Sequence, residues 1–424
     1  MVWHIKRSIL WFRKRIWNSL GPGLIAGAAD DDPSGVATYS VAGARFGTSL
    51  LWTALLTWPL MAAVQMMCAR IGMVTGRGLT AALKKKFPRR VVSTVITALL
   101  IANTINVGAD LAGMADAAEV LSRLSSHVWV IVFAIAISWA TVRLRYYQIA
   151  SSLKWLALIL FSYVITAFVV RPDWHKALHD TFVPQIPRRK DEWEALVAIL
   201  GTTISPYLFF WQAIQEVEEE RAAGRNTLGQ RKGATLREIR TRKFDVGTGT
   251  LFSNVVMYFI ILTTAFTLNR SGQTNIETSK EAAAALLPLA GSLATTLYTI
   301  GIIGVGMLAI PTLTGSAAYA FAEFLGWKQG LDRRLQQARS FYMMILFSTI
   351  AAVIMDFADI SPIKALYWTA VINGLLAPFL LVGILMVASD GKLMNGQPSS
   401  ALGKLTVSLA AAAMFVAAVA MLWL

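Results

Sequence analysis

Long apolar runs alternate with short polar or basic connectors from one end of the chain to the other. Stretches long enough to cross a bilayer as helices, roughly 17 to 25 residues each, can be laid down about eleven times. The first six run from Leu20 to Arg45, Leu50 to Met73, Val91 to Ala115, Val128 to Val142, Ser151 to Val170 and Trp193 to Gln215. The rest run from Val246 to Leu268, Leu289 to Phe324, Phe341 to Asp356, Pro362 to Val387 and Leu405 to Leu424. This pattern predicts an all-α integral membrane protein with helices one and six interrupted.

The interruptions are alike. Asp30-Asp31-Asp32-Pro33-Ser34-Gly35 breaks the first span, and Thr202-Thr203-Ile204-Ser205-Pro206-Tyr207 breaks the sixth. Each reads as an N-cap, Asp32 or Ser205, followed by proline at the first helical position, where it costs no intrahelical hydrogen bond. Backbone groups freed at bilayer depth are tolerated only where they face a cavity or a bound ion, so paired breaks point to a substrate site. The plainer reading is a helix restart with nothing bound. Against it stands the cost of an ionised carboxylate in the membrane, at least roughly 2.5 to 3.5 kcal/mol, which a nearby cation removes.

Five spans follow from the first break and five from the second. An odd number per half turns the second half upside down, the inverted-repeat logic of secondary transporters. The expected organisation is a cytoplasmic amphipathic segment over 1–19, a first repeat over 20–170, an external connecting loop over 171–192, a second repeat over 193–388, and an eleventh span within 389–424. Gly301, Gly304, Gly306 and Gly315 of the eighth span read as close packing or a hinge.

Hydrophobic residues make up 56% and charged residues 15% of the 424, with mean hydropathy +0.56, outside the range of ordinary soluble domains. A net charge of +15 would suit nucleic acid, but the basic residues cluster in connectors, which argues against it. His4 to Arg15, Lys84 to Arg90, Arg221 to Lys243 and Lys328 to Arg339 carry most of them. The positive-inside rule then favours a cytoplasmic amino terminus, and the plasma membrane is the expected location. Arg188, Arg189 and Lys190 in the external loop are the exception. The lone Cys68 excludes an internal disulfide framework, and no cleavable signal pattern is present.

Gly21-Pro22-Gly23 leading into Asp32-Pro33, Gly201-Thr202 leading into Ser205-Pro206, and Asp110-Leu111-Ala112 in the third span resemble the Nramp family of metal-ion transporters. The resemblance extends over essentially the whole chain. It implies a LeuT-like fold with a 5+5 inverted repeat and a metal site between helices one and six. In the family the first break reads Asp-Pro-Gly-Asn, with Asp and Asn as ligands, where this chain has Asp32, Pro33, Ser34 and Gly35. The second reads Ala-x-x-Met-Pro-His, with an alanine carbonyl and the methionine sulfur as ligands, where this chain has Thr202, Ser205, Pro206 and Tyr207. The asparagine and the thioether are both absent.

The candidate metal residues are therefore Asp32 as anchor, the Thr202 carbonyl and the Ser205 hydroxyl, with Gly35, Asp31, Tyr207 and Asn373 around them. Without sulfur the set favours hard ions such as Mg²⁺ or Mn²⁺ over Fe²⁺. Gly35 and Ser205 are expected to leave room for water that Mg²⁺ retains. Asp30 and Asp31 read equally as acceptors around a hydrated ion or as partners of a helix end or of Arg143 or Arg145. Asn254 and Thr369 are further oxygen donors or glue between helices.

Family proton coupling runs partly through an Asp-x-x-Glu on the third helix and a histidine after the sixth-helix proline. Here Asp110 remains, but the other positions are Gly113 and Tyr207, so weak or absent coupling is expected, with Asp110 as the remaining coupling candidate. Gln212, Gln215 and Glu216 are candidates for a cytoplasmic exit path, while Glu218-Glu219-Glu220 read equally as a helix end pairing with the basic loop. The expected partners are the metal ion and the lipid bilayer, with no nucleic acid and no cofactor; a monomer is the expected assembly. Competing classes are a proton-coupled Mn²⁺/Fe²⁺ transporter and a sodium-coupled amino-acid symporter, the latter opposed by the fixed charge of Asp32. An enzyme built on Asp32 and Asp110 lacks any group to orient a nucleophile.

Overall fold

The structure is a computed structural model and describes residues 27, 29–144, 158–331, 333–356 and 361–423. The expected amphipathic segment, the start of the first span, residues 151–157 of the fifth and Arg145 lie outside the described residues. Among the described residues nine helical segments are long and apolar enough to cross a membrane. They correspond to the expected spans two, three, four and six to eleven; the fifth contributes a shorter apolar helical segment, Leu158–Val170.

The helices are α1 (Pro33–Phe46), α2 (Trp52–Thr75), α3 (Leu79–Lys86), α4 (Arg89–Ser122), α5 (Ser126–Arg143), α6 (Phe161–Val170), α7 (Trp174–Phe182) and α8 (Lys190–Thr203). After the second break come α9 (Pro206–Ala222), α10 (Leu236–Thr264), α11 (Ser279–Ala283), α12 (Leu287–Ala290) and α13 (Ala294–Leu325). The chain closes with α14 (Arg339–Asp356), α15 (Pro362–Ser389) and α16 (Ala401–Trp423).

Burial sorts these helices into inner and outer ones. Every residue of α1 from Pro33 to Ala44 is buried, as is nearly all of α9 down to Val217. By contrast α5, α14 and α16 turn large apolar side chains outward, including Ile135, Trp139, Phe347, Ile354 and Val416. A surface of this kind is unfavourable in water and suits lipid. Without a solvent-driven hydrophobic effect between helices, tight inner packing depends on small residues. Gly201 of α8 and Gly374 of α15 meet so closely that a Cβ on Gly201 would overlap the Ala370 carbonyl and the Gly374 backbone. In α13, Gly306 lies against Met114 and Pro33, and Gly315 against Trp211.

The expected external loop is more structured than its composition suggests. Asp173 caps α7 by accepting from the Lys176 N–H at 3.1 Å, and Thr48 at the α1–α2 turn donates to Asp180 at 2.5 Å. Burial alone would raise the Asp180 carboxyl, yet hydrogen bonds from Thr48 and His179 hold it below the usual carboxylate range. The connecting segment is thus a clasp over the start of α2.

Replacing Gly201 by alanine forces α8 and α15 apart and is expected to cost about 1–3 kcal/mol, read as a lower thermal midpoint of the purified protein in detergent. Gly247→Ala in α10, where an added Cβ meets nothing within 4 Å, is expected to stabilise by about 0.5–1 kcal/mol through helix propensity.

Candidate functional site

Asp31 and Asp32 are the non-helical residues of the first break, and Ile204 and Ser205 those of the second. Asp32 takes an extended conformation (φ −67°, ψ 171°) and caps α1 with Pro33 behind it. Its Oδ1 accepts from Gly35 N at 2.8 Å and from Ser34 Oγ at 2.6 Å. Its Oδ2 accepts from Asn106 Nδ2 of α4 at 3.3 Å and from Tyr207 Oη of α9 at 3.4 Å. Asp32 is 1% exposed, and no ion pair joins it to a lysine or arginine among the described residues. Four neutral donors, one of them from beyond the second break, hold this carboxylate in place of a counter-ion.

Ser205 departs from expectation. It occupies the N-cap position of α9 (φ −77°, ψ 132°) without a side-chain cap bond. Its hydroxyl turns back and donates to Thr202 O at 2.6 Å and Gly201 O at 2.9 Å. The last carbonyls of α8 lack intrahelical partners, and in a dry interior the nearest hydroxyl satisfies them. The Thr202 carbonyl, expected as a ligand, is therefore already engaged by Ser205.

Gly35 also differs from its expected part. A Cβ there would sit 3.1 Å from Thr202 Oγ1, 3.3 Å from Asp30 O and 3.5 Å from the Tyr39 ring. The space that a glycine would open is filled by the threonine side chain, so the break is close-packed and not wide. Tyr207 donates to Ala29 O at 2.9 Å as well as reaching Asp32. It stitches the helix end before the first break to the helix start after the second.

Asp30 and Asp31 share a single donor. Ser253 Oγ of α10 lies 2.6 Å from Asp30 Oδ2 and 3.1 Å from Asp31 Oδ1, while Asp30 Oδ1 and Asp31 Oδ2 are buried without a hydrogen-bond partner. Neither carboxylate meets Arg143, which is exposed at the end of α5. Asp110 is buried on α4 one turn beyond Asn106, near Asp32 and the Ser34 N–H, and neither of its oxygens forms a well-aligned hydrogen bond. Asn373 is buried on α15 beside the Gly201 contact, its Oδ1 unpartnered. Asn254 bridges α10 to α2 by accepting from Thr57 at 2.7 Å, and Thr369 bonds its own helix at Leu366 O. Among the described residues no three His, Cys, Asp or Glu side chains converge as a metal cage, so an ion held here would rely on one or two carboxylates and neutral oxygens.

Further along α9 from Tyr207, Gln212 donates to Glu216 at 2.7 Å. Glu216 in turn pairs with Arg242 of α10 at 2.7 Å; Arg242 also pairs with Asp245 at 2.6 Å and with Glu219. Glu218 pairs with Arg221, and Glu220 with Arg225. The acidic end of α9 is therefore paired with Arg221 of the same helix, Arg225 of the connector and Arg242 of α10, and Gln212 and Glu216, expected to line an exit, sit within that network. Gln215, half-buried, takes no part in this network.

Asn106, Ser34, Ser253 and Arg242 were not among the residues expected from sequence. Asn106 carried a usable signal, since it precedes Asp110 by four residues and shares its helix face. Ser253 carried none, because its contacts cross from α10 to the first break, and Arg242 carried only the local pairing with Asp245 three residues on.

The family model described as Nramp, natural resistance-associated macrophage protein-like, matches residues 23–424. The divalent metal cation transporter MntH of Caldanaerobacter subterraneus subsp. tengcongensis is 25% identical over 395 residues, covering 90% of this chain and 87% of that protein. MntH of Burkholderia ambifaria is 27% identical over 385 residues, covering 89% and 82%. Among solved structures, the manganese transporter of Eremococcus coleocola superposes with a TM-score of 0.76 at 17% identity, covering 97% of this chain and 88% of that one. Mhp1, a nucleobase-cation-symport-1 family transporter, superposes at 0.59 with 14% identity, covering 95% and 92%. The fold is that of LeuT-like transporters, all-helical with helices one and six broken. Matched along nearly its whole length, the chain belongs to the Nramp family, whose members are membrane transporters and not enzymes.

Proposed function

We propose that this protein carries a divalent hard cation, Mg²⁺ or Mn²⁺, across the plasma membrane by alternating access with weak or absent proton coupling. The observation that supports it most is Asp32: a buried carboxylate at a helix break, held by four neutral donors and no base. Such an arrangement orients the carboxylate and leaves it without a permanent counter-ion, so an arriving cation meets its full attraction. The ion is cargo, and the family requires no resident cofactor. Asp32 anchors it; Asp31, Asn373 and the freed oxygens of Thr202, Ser205 and Tyr207 complete an all-oxygen set as the half-helices separate, with Asn106 added to that set. Gly35 acts by yielding its place to Thr202.

Weak coupling has a physical ground. The family's glutamate position, Gly113, is backed by Leu366, whose Cδ1 would lie 2.8 Å from an added Cβ. An apolar side chain occupies the route, and Asp110 has no titrating neighbour beyond it on that helix face except through Asp32. We place the amino terminus in the cytoplasm, the repeats over 20–170 and 193–388, and the eleventh span after 389. Gln212 and Glu216 line the exit once Arg242 withdraws.

A softer, Mn²⁺-selective reading has one observation in its favour. Met114, four residues after Asp110, and Pro33 both lie against Gly306, so a thioether is close to the break although Ser205 has replaced the family's own.

In proteoliposomes, Asp32→Asn is expected to lower Mg²⁺ and Mn²⁺ uptake at least tenfold while the protein still elutes as a folded species; uptake equal to wild type would refute the anchoring role. Wild-type uptake is expected to follow an inside-negative potential and to change less than twofold with an inward pH gradient. Strong acceleration of Mn²⁺ entry by inward protons would overturn both the hard-ion and weak-coupling readings. Gly35→Asn alone collides with Thr202 and is expected to impair transport of every ion. Gly35→Asn combined with Thr202→Ala relieves the collision and is expected to restore uptake with Mn²⁺ favoured over Mg²⁺ in direct competition.

A further inference from the structure

Away from the helix breaks, two cavities share the α2–α3 turn, the larger lined also by the end of α13 and the connector after α9, the smaller by that connector and the loop after α15. The larger, about 380 Å³, is walled by Arg77, Arg221, Arg231, Lys328 and Arg333. Its one acidic wall residue, Glu323, is committed: its oxygens accept from Gly78 N at 2.8 Å and Ala81 N at 3.2 Å at the start of α3. The smaller, about 70 Å³, is walled by Arg77, Lys85, Lys232 and Lys392 and by no aspartate or glutamate. Asp390, nearby in sequence, is taken up by Lys86 at 2.7 Å and by the N–H groups of Lys392 and Leu393.

Arg77 belongs to both walls. Its Nε is buried without a partner, and so is the Oε1 of Gln329 in the larger cavity. Arg231 is 7% exposed, and its guanidinium is fixed by the carbonyls of Arg225 at 2.9 Å and Asn226 at 2.8 Å, which orient it without cancelling its charge. Arg221 is partly neutralised through Glu218 at 2.6 Å, and Glu220 and Glu218 also act on Arg231 from outside the cavity wall. Like charges crowd Lys85: Arg77, then burial, then Lys232 push its ammonium below its ordinary value. Cations gathered into a concavity and left short of carboxylates are stabilised by an anion, and guanidinium groups favour phosphate oxygens through paired N–H donors.

We propose that this double cavity binds a polyphosphate-class anion, with one phosphate-type group on each side of Arg77. The shared chemistry is two linked phosphates, supplied either by a soluble pyrophosphate-like molecule or by the headgroup of a diphosphate lipid. The site lies apart from the helix breaks, on the face that the distribution of basic residues predicts to be cytoplasmic, and does not depend on which ion is carried.

The test uses the full-length protein in neutral detergent. Sodium pyrophosphate is titrated against sodium sulfate at matched ionic strength, and phosphatidylcholine vesicles are compared with and without cardiolipin, reading the thermal midpoint. Pyrophosphate is expected to raise the midpoint by several degrees where sulfate does not, and both Arg77→Gln and the exposed pair Lys328→Gln with Lys392→Gln are expected to weaken its apparent affinity at least tenfold. Stabilisation by cardiolipin alone, lost in the same variants, supports the proposal with the lipid as source. No stabilisation in either arm, equal stabilisation by sulfate, or full stabilisation of the variants overturns it. The Lys328/Lys392 pair guards against misfolding of Arg77→Gln, since both lysines sit at the rim.

Discussion

A carboxylate kept inside a membrane protein without a basic partner is the constraint around which this molecule is arranged. Desolvating one such charge costs several kcal/mol, and removing its attraction to any permanent cation leaves that cost standing. The chain answers with hydrogen bonds from four directions: the next helical turn, the adjacent serine, an asparagine on α4 and a tyrosine on α9. Those donors belong to three different helices, so the break in helix one is stable only when the break in helix six and the middle of α4 are in register with it. The close approach of α8 to α15 through Gly201 and Gly374 supplies that register from behind.

The same arrangement shows how a family site can change its chemistry without leaving a hole. An oxygen-bearing threonine at 202 stands where the family pattern has alanine, and a glycine at 35 where it has asparagine. One side chain has moved across the gap as the other withdrew, which conserves volume and keeps the break packed.

Much of this was legible in the sequence. Length and hydropathy give the spans, and proline behind a capping residue marks both breaks because those rules are local. Asp32 stood out for the same reason: a charge in an apolar run has few benign explanations. The rest was set by contacts across the fold. Ser205 had the composition of a cap, but it bonds back to the carbonyls of α8, since the orphaned acceptors there were closer than the donors of α9. Ser253 reaches Asp30 and Asp31 from more than two hundred residues away. Helix α7 hid in a connector because its nine residues are too few and too polar to stand out beside the apolar spans.

The Arg242 cluster has a mechanical meaning. Its guanidinium joins Glu216 and Glu219 of one helix to Asp245 of another. One side chain set among three carboxylates satisfies them jointly, so α9 and α10 are fastened at this end by a single residue. The whole clasp is lost with it.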